Sequence, residues 1–115
     1  MSEPLLTRDA ILAVLSRHIG EERGIPIARL VRIATGGLST PALERTARRL
    51  IEELRRDGQH ICAHPTSGYF IADTEAELVR TCQYLYSRAM CSLEQVAAMR
   101  RVSLPDLRGQ LRLPD

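Results

Sequence analysis

The chain has 115 residues and a mass of 12.9 kDa, which fits one domain with an appended segment and leaves little room for two cores. Its 44% hydrophobic content argues against wholesale disorder, and no run approaches the ~20 apolar residues of a membrane span. Its three cysteines are scattered, and no secretory signal is visible near the start. We therefore expect a cytoplasmic protein without disulfides and with no membrane partner.

The charge is weak and entirely dependent on Arg. The formal net charge is +2, and all 16 basic residues are Arg. Residues 1–58 hold ten Arg and eight acidic residues, whereas residues 59–115 hold six of each. The overall field is too small to coat nucleic acid, so any DNA binding needs a local patch of Arg.

Two short helices are predicted first. Thr7 is a suitable N-cap for a helix whose apolar positions run to Ile19, and Gly20 is a natural stop. A polar loop follows. Pro26 then opens a second helix, which Gly36 ends.

The third helix gives the clearest local signal. Thr40 can cap it, Pro41 takes its first position, and Gly58 ends it. Its apolar residues lie on one narrow face, and its Arg residues point largely the other way. The apolar face consists of Leu43, Ala47, Leu50, Ile51 and Leu54.

After Gly58 the pattern changes from helical to alternating. Residues 59–63 and 68–72 are short β-type runs separated by turn chemistry, which predicts a hairpin. A fourth helix follows, and a capping-box pattern at Ser92 predicts a break near residue 91. Residues 102–115 are expected to be irregular or extended. The fourth helix carries two adjacent apolar lines, the first being Leu78, Cys82, Leu85 and Ala89 and the second Val79, Tyr86, Met90 and Leu93.

The order helix, helix, turn, helix, hairpin predicts a winged helix-turn-helix, mainly α with a small β-hairpin wing and a C-terminal helix. The segment 43–72, with Leu54-Arg55-Arg56-Asp57-Gly58 and Gly68-Tyr69, resembles the module at the front of biotin-operon-repressor-type regulators. The likeness extends over residues 7–72. The stretches 68–90 and 104–111 look more like small phage or prophage winged-helix proteins. One departure is that Leu43 stands where those repressors place a capping Ser or Thr, so their base contacts do not transfer directly.

The resemblance implies binding of double-stranded DNA by residues 7–72, with residues 73–115 forming a packing segment. The helix N-terminus reaches base edges in such motifs, and the hairpin tip reaches the backbone or minor groove. The candidate DNA-binding residues are Thr40, Arg45, Arg48, Arg49, His64, Thr66 and Ser67. The alternative is a solvated charged face, because Glu44, Glu52 and Glu53 are spaced to pair with these Arg residues.

Catalytic and metal chemistry receive little support. His60, Cys62 and His64 alternate along one strand and could form a zinc site with Cys82 or Cys91, but a buried Cys beside wing histidines fits the spacing better. No phosphate-binding loop or nucleophile–base spacing is present. We therefore expect no enzyme, no cofactor and no metal.

The second apolar line of the fourth helix suggests a partner. Val79, Tyr86, Met90 and Leu93 are the candidate homodimer interface, since one line is enough to cover a small core. The alternative is that the tail, residues 104–113, folds over this line. The function predicted is a phage-type transcriptional regulator or accessory factor. A non-catalytic protein-interaction adaptor on the same scaffold is the alternative.

Overall fold

The computed structural model describes residues 6–100 and residue 105. Within residues 6–100, four α-helices and two strands follow in chain order: α1 (Arg8–Leu15), α2 (Ile27–Thr35), α3 (Pro41–Arg56), β1 (Ile61–His64), β2 (Gly68–Ile71) and α4 (Glu75–Arg100). The expected fold class, mainly helical with a small β-hairpin after the third helix, is confirmed. The chain divides into two compact units, Met1–Thr81 and Cys82–Asp115, and the boundary falls within α4.

The helix starts follow the capping residues in the sequence. The hydroxyl of Thr7 accepts a hydrogen bond from the Ala10 amide at 3.1 Å, and that of Thr40 accepts one from the Leu43 amide at 3.1 Å. Each bond satisfies an amide that has no partner inside its helix. Gly36 ends α2 with a left-handed φ of 70°, as expected of a glycine just after a helix.

The core of the first unit is built where α1, α2 and α3 pack together. Each helix contributes one apolar face, and the expected apolar face of α3 is buried except for Leu43, which is half-buried. Burying a Leu or Ile side chain contributes about 1.5–3 kcal/mol, so this face fixes which side of α3 meets solvent. The buried helix residues are Ile11, Val14, Leu15, Leu30, Val31, Ala47, Leu50, Ile51 and Leu54.

The hairpin is antiparallel, with Ile61 opposite Ile71 and His64 opposite Gly68. Its first strand begins two residues later than expected and includes His64, so the turn is shorter than predicted. Residue Ile25 also joins the hairpin: its amide donates to the Tyr69 carbonyl and its carbonyl accepts from the Tyr69 amide, both at 2.8 Å. This single-residue bridge ties the α1–α2 connection to β2.

The prediction that the first helix reaches Ile19 is wrong. Helix α1 ends at Leu15, and Ile19 forms a bridge with Ile71. The Ile71 amide donates to the His18 carbonyl and the Gly20 amide donates to the Ile71 carbonyl, each at 2.9 Å. These bonds require extended backbone beside β2, which a continuing helix would not provide. The connection that follows contains a short 3-10 turn, Glu21–Arg23.

The predicted break near residue 91 is also wrong. Helix α4 runs without interruption from Glu75 to Arg100. An internal Ser costs a helix only a few tenths of a kcal/mol, so Ser92 is tolerated within a long helix. The expected irregular tail, residues 102–115, lies outside the described residues apart from Pro105.

Candidate nucleic-acid interface

The solvent-facing side of α3 carries most of its Arg residues. Arg45, Arg49, Glu52 and Arg56 follow one another at helical spacing on the side opposite the core, and Arg48 lies on the flank. All five side chains are exposed. Because the other face is buried in the core, these side chains cannot turn inward without unfolding the helix.

Arg48 is weakly held by an acidic neighbour one turn earlier. Its guanidinium Nη2 lies 3.9 Å from Oε1 of Glu44, and the Arg48 side chain is 50% exposed. The other carboxylate oxygen of Glu44 accepts a hydrogen bond from the Ser39 hydroxyl at 2.8 Å. The Glu44 carboxylate is therefore shared between Ser39, just before α3, and Arg48.

Arg49 has a closer partner. Its Nη1 lies 3.4 Å from Oε2 of Glu53, and the side chain is 65% exposed. The second carboxylate oxygen of Glu53 lies 4.0 Å from Nη1 of Arg8, which itself donates to Asp57 at 2.9 Å. The acidic residues near the end of α3 are thus shared between α3 and α1. Exposed ion pairs of this kind contribute roughly 0–1 kcal/mol. A DNA phosphate could therefore take the place of the carboxylate at little energetic cost.

Two Arg residues of this face have no such neighbour. Within residues 6–100, no ion pair or hydrogen bond involves the side chain of Arg45 or Arg56. Glu52 is unpaired over the same range, so the pairs with Arg48 and Arg56 that helical spacing would allow do not form. We call Arg45, Arg48, Arg49 and Arg56 the α3 arginine face.

The candidate wing residues lie together at the hairpin turn. The Thr66 amide donates to Nδ1 of His64 at 3.1 Å, so the imidazole helps to shape the turn. Its Nε2 lies 3.9 Å from Oε1 of Glu21. Thr66 is exposed and Ser67 is half-buried. Of the three predicted wing contacts, Thr66 is the most accessible, while His64 is engaged within the protein.

A polar network that the sequence did not indicate holds the hairpin region in place. The Glu77 carboxylate accepts from the Glu21 amide at 3.0 Å and from the Asp73 amide at 2.8 Å. These two bonds, foremost the one from Glu21, lower the pKa of Glu77. Arg80 donates to Glu21 at 2.9 Å. The side chains of Glu77 and Arg80 therefore join the start of α4 to the 3-10 turn.

The sequence also gave no indication of the contact that the Arg55 side chain makes. Its Nε donates to the carbonyl of Ile61 at 2.8 Å, which joins the end of α3 to the start of β1. One of its terminal nitrogens is buried without a hydrogen-bond partner in the structure. The only signal in the sequence was its place in the Leu-Arg-x-x-Gly pattern, and that pattern did not say what the side chain would touch.

The residues considered for metal binding do not assemble. Cys62 is buried and its thiol donates to the carbonyl of Glu77, while Cys82 and Cys91 are exposed. Across residues 6–100 and 105, no group of three His, Cys, Asp or Glu side chains is arranged to hold a metal ion. No helix in the same ranges has the length and hydropathy needed to cross a membrane.

The candidate dimer residues of α4 differ in exposure. Val79 is 41% and Tyr86 63% exposed, while Met90 and Leu93 are half-buried. In the first apolar line, Leu78 is half-buried and Leu85 is 42% exposed. The tail proposed as an alternative cover, residues 104–113, lies outside the described part of the chain except for Pro105.

No protein-family model matches the chain, and comparisons with curated proteins and with solved structures find no similar protein. Function is therefore inferred from the residues and their geometry.

Proposed function

We propose that this protein binds double-stranded DNA by inserting α3 into the major groove. The observation that carries the proposal is the α3 arginine face, four exposed Arg side chains on a helix whose opposite side is fixed in the core. An α-helix fits the major groove, and a guanidinium can donate two hydrogen bonds to guanine or bind a phosphate.

The hairpin supplies a second contact in this mechanism. Thr66 and Ser67 reach a phosphate or the minor groove beside the inserted helix, and the bond between His64 and the Thr66 amide keeps the turn in shape. The amides at the start of α3 are a further place for a phosphate, with Thr40 at the edge. The order of elements fits the resemblance to winged helix-turn-helix regulators, and the role we propose is that of a phage-type transcriptional regulator or accessory factor without catalysis.

We further propose that the protein acts as a homodimer. The net charge of +2 gives one protomer a weak field, and two protomers double the number of Arg residues offered to one site. A two-fold pair suits half-sites about one DNA turn apart.

A protein-interaction adaptor is the second candidate. It is favoured by the ion pairs of Arg48 with Glu44 and of Arg49 with Glu53, and by the unpaired Glu52 within the α3 arginine face. A carboxylate at that position repels phosphate, whereas a protein partner can pair with it.

A charge-matched pair of double variants tests the proposal. R45A/R49A removes two members of the α3 arginine face, and R17A/R23A removes two exposed Arg side chains that lie outside α3. Both lower the net charge by the same amount. Binding to a labelled duplex, measured by fluorescence anisotropy, should weaken by about tenfold or more for R45A/R49A and far less for R17A/R23A.

Circular dichroism should show the same helix content for all three proteins, because none of the four side chains is buried. Equal weakening by both double variants would mean that charge alone governs binding and that α3 is not the reading helix. Absence of binding by the unchanged protein would favour the adaptor.

A further inference from the structure

Helix α4 carries a stripe that repeats every seven residues. Its apolar members are separated by alternating steps of three and four residues, the pattern of helices that pack against another helix along their length. All of them are exposed or half-buried, and Tyr86 is 63% exposed. We call this set the α4 stripe: Val79, Cys82, Tyr86, Ala89, Leu93 and Val96.

The residues beside the stripe carry no charge. Charged side chains at these positions normally select or reject a partner helix. Two copies packed along the stripe would therefore meet without charge repulsion, and exposed Leu85 and Met99 add apolar surface at the edge. The flanking residues are Ala76, Gln83, Met90 and Ala97 on one side and Leu78, Leu85, Ser92 and Met99 on the other.

The same spacing continues to a charged residue at each end of the helix. Glu75 lies four residues before Val79, and Arg100 lies four residues after Val96. Neither makes an ion pair with another described residue. In an antiparallel pair, each Glu75 faces Arg100 of the partner subunit. In a parallel pair, each charge faces its own copy and repels it.

Side-chain size favours the same orientation. In the antiparallel pair, Tyr86 packs on Ala89 of the partner subunit, so a large residue meets a small one in both central layers. A parallel pair would stack Tyr86 on its own copy and leave a gap at Ala89, which is poorer packing.

We propose that α4 forms an antiparallel homodimer in the register that brings Tyr86 onto Ala89 of the partner subunit. The apolar layers span 17 residue steps, about 26 Å at 1.5 Å per residue. This inference rests on the homodimer part of the proposed function and gives its interface, orientation and register. It does not depend on DNA binding.

Disulfide trapping distinguishes the two orientations. The starting variant is C91S, which leaves Cys82 as the exposed thiol in the described range because Cys62 is buried. In the antiparallel register Cys82 faces position 93 of the second copy, so C91S/L93C should form a linked dimer with oxidised glutathione. C91S alone should link about tenfold more slowly, since its thiols are not held opposite one another. Non-reducing electrophoresis and intact mass give the rates.

Sedimentation equilibrium of the full-length, reduced protein without DNA provides the second readout. The expected result is a monomer–dimer equilibrium that Tyr86→Glu shifts by about tenfold or more toward monomer, because each dimer buries two introduced charges. Fast linking of C91S alone would overturn the antiparallel register. Monomers at the highest soluble concentration would overturn the dimer. Both results are separable from the R45A/R49A comparison, which measures DNA contact.

Discussion

Glu77 is the side chain on which the contact between the 3-10 turn and the start of α4 depends most. Its carboxylate accepts hydrogen bonds from two backbone amides, those of Glu21 and Asp73, and its own amide donates to Thr74. Stabilisation of the charged form lowers the pKa of Glu77 below its ordinary value of 4.5. The folded protein therefore binds this proton less readily than the unfolded chain.

Substitution of Glu77 by Gln should reduce the free energy of unfolding at neutral pH. The stabilisation from the ionised carboxylate is present above pH 4.5 and is lost as the pH falls from 4.5 through the lowered pKa. The difference in free energy of unfolding between E77Q and the unchanged protein should therefore narrow in that pH window, as measured by urea unfolding across pH. E94Q, which alters an exposed α4 carboxylate, is the control and should show no such gap. A gap that persisted at the lowest pH would contradict this explanation.

Gly68 lies where the hairpin backbone closely approaches that of Ile25. It has a φ of 91°, and a Cβ added there would collide with the carbonyl oxygen of Ile25. Gly68→Ala should lower the free energy of unfolding by about 2 kcal/mol or more, from strain and collision together. Gly36→Ala has a φ of 70° but nothing within 4 Å of an added Cβ, so it should cost only about 1 kcal/mol. If the two variants unfolded at the same urea concentration, the backbone of Ile25 would not approach Gly68 closely enough to exclude a Cβ.

At the scale of the element, α3 is the part that the sequence predicted best. Its cap, its first-position Pro and its terminal Gly are local signals, and the apolar period fixes which face is buried. The end of α1 was missed because Ile19 has helical spacing in the sequence. In the structure it lies outside the helix and pairs with Ile71, a residue 52 positions later. Contacts between distant segments leave no periodic trace in the sequence, and Ile25 with Tyr69 is a second case.

The sequence predicted which side of α3 carries the exposed Arg residues, but it did not predict which Glu–Arg ion pairs form there. Helical spacing placed Arg45, Arg48 and Arg49 outward, and the structure agrees. Four Glu–Arg pairs had suitable spacing on α3, yet only those of Arg48 with Glu44 and of Arg49 with Glu53 form. Long side chains choose among several partners at little energetic difference, so spacing alone could not select between them.

Glu52 separates the two candidate functions. If α3 enters the major groove, removing this unpaired negative charge from the α3 arginine face should strengthen DNA binding. Coulomb energies of about 1 kcal/mol or less in water correspond to about twofold to fivefold for Glu52→Gln. The control is E22Q, an exposed carboxylate in the 3-10 turn. Anisotropy titrations of both variants would contradict DNA contact through α3 if E52Q gained no more affinity than E22Q.

At the scale of the whole molecule, the proposed roles divide between the two ends of the described chain. Helix α3 and the hairpin carry the proposed DNA contacts, and α4, in which the boundary between the two units falls, carries the stripe proposed to join two copies. A homodimer brings two weakly charged protomers to one DNA site. Variants at Tyr86 should therefore lower DNA affinity through loss of the second protomer, while leaving the helix content unchanged.

The most direct test of DNA binding is the salt dependence of duplex binding by the unchanged protein. Anisotropy titrations with a random duplex and with genomic fragments should give a log–log slope of about −0.9 for each phosphate contacted. We predict detectable binding at about 50 mM salt, with affinity falling steeply as salt increases. Absence of binding at that salt concentration, or an affinity that salt does not change, would contradict the proposal that α3 and the hairpin contact DNA.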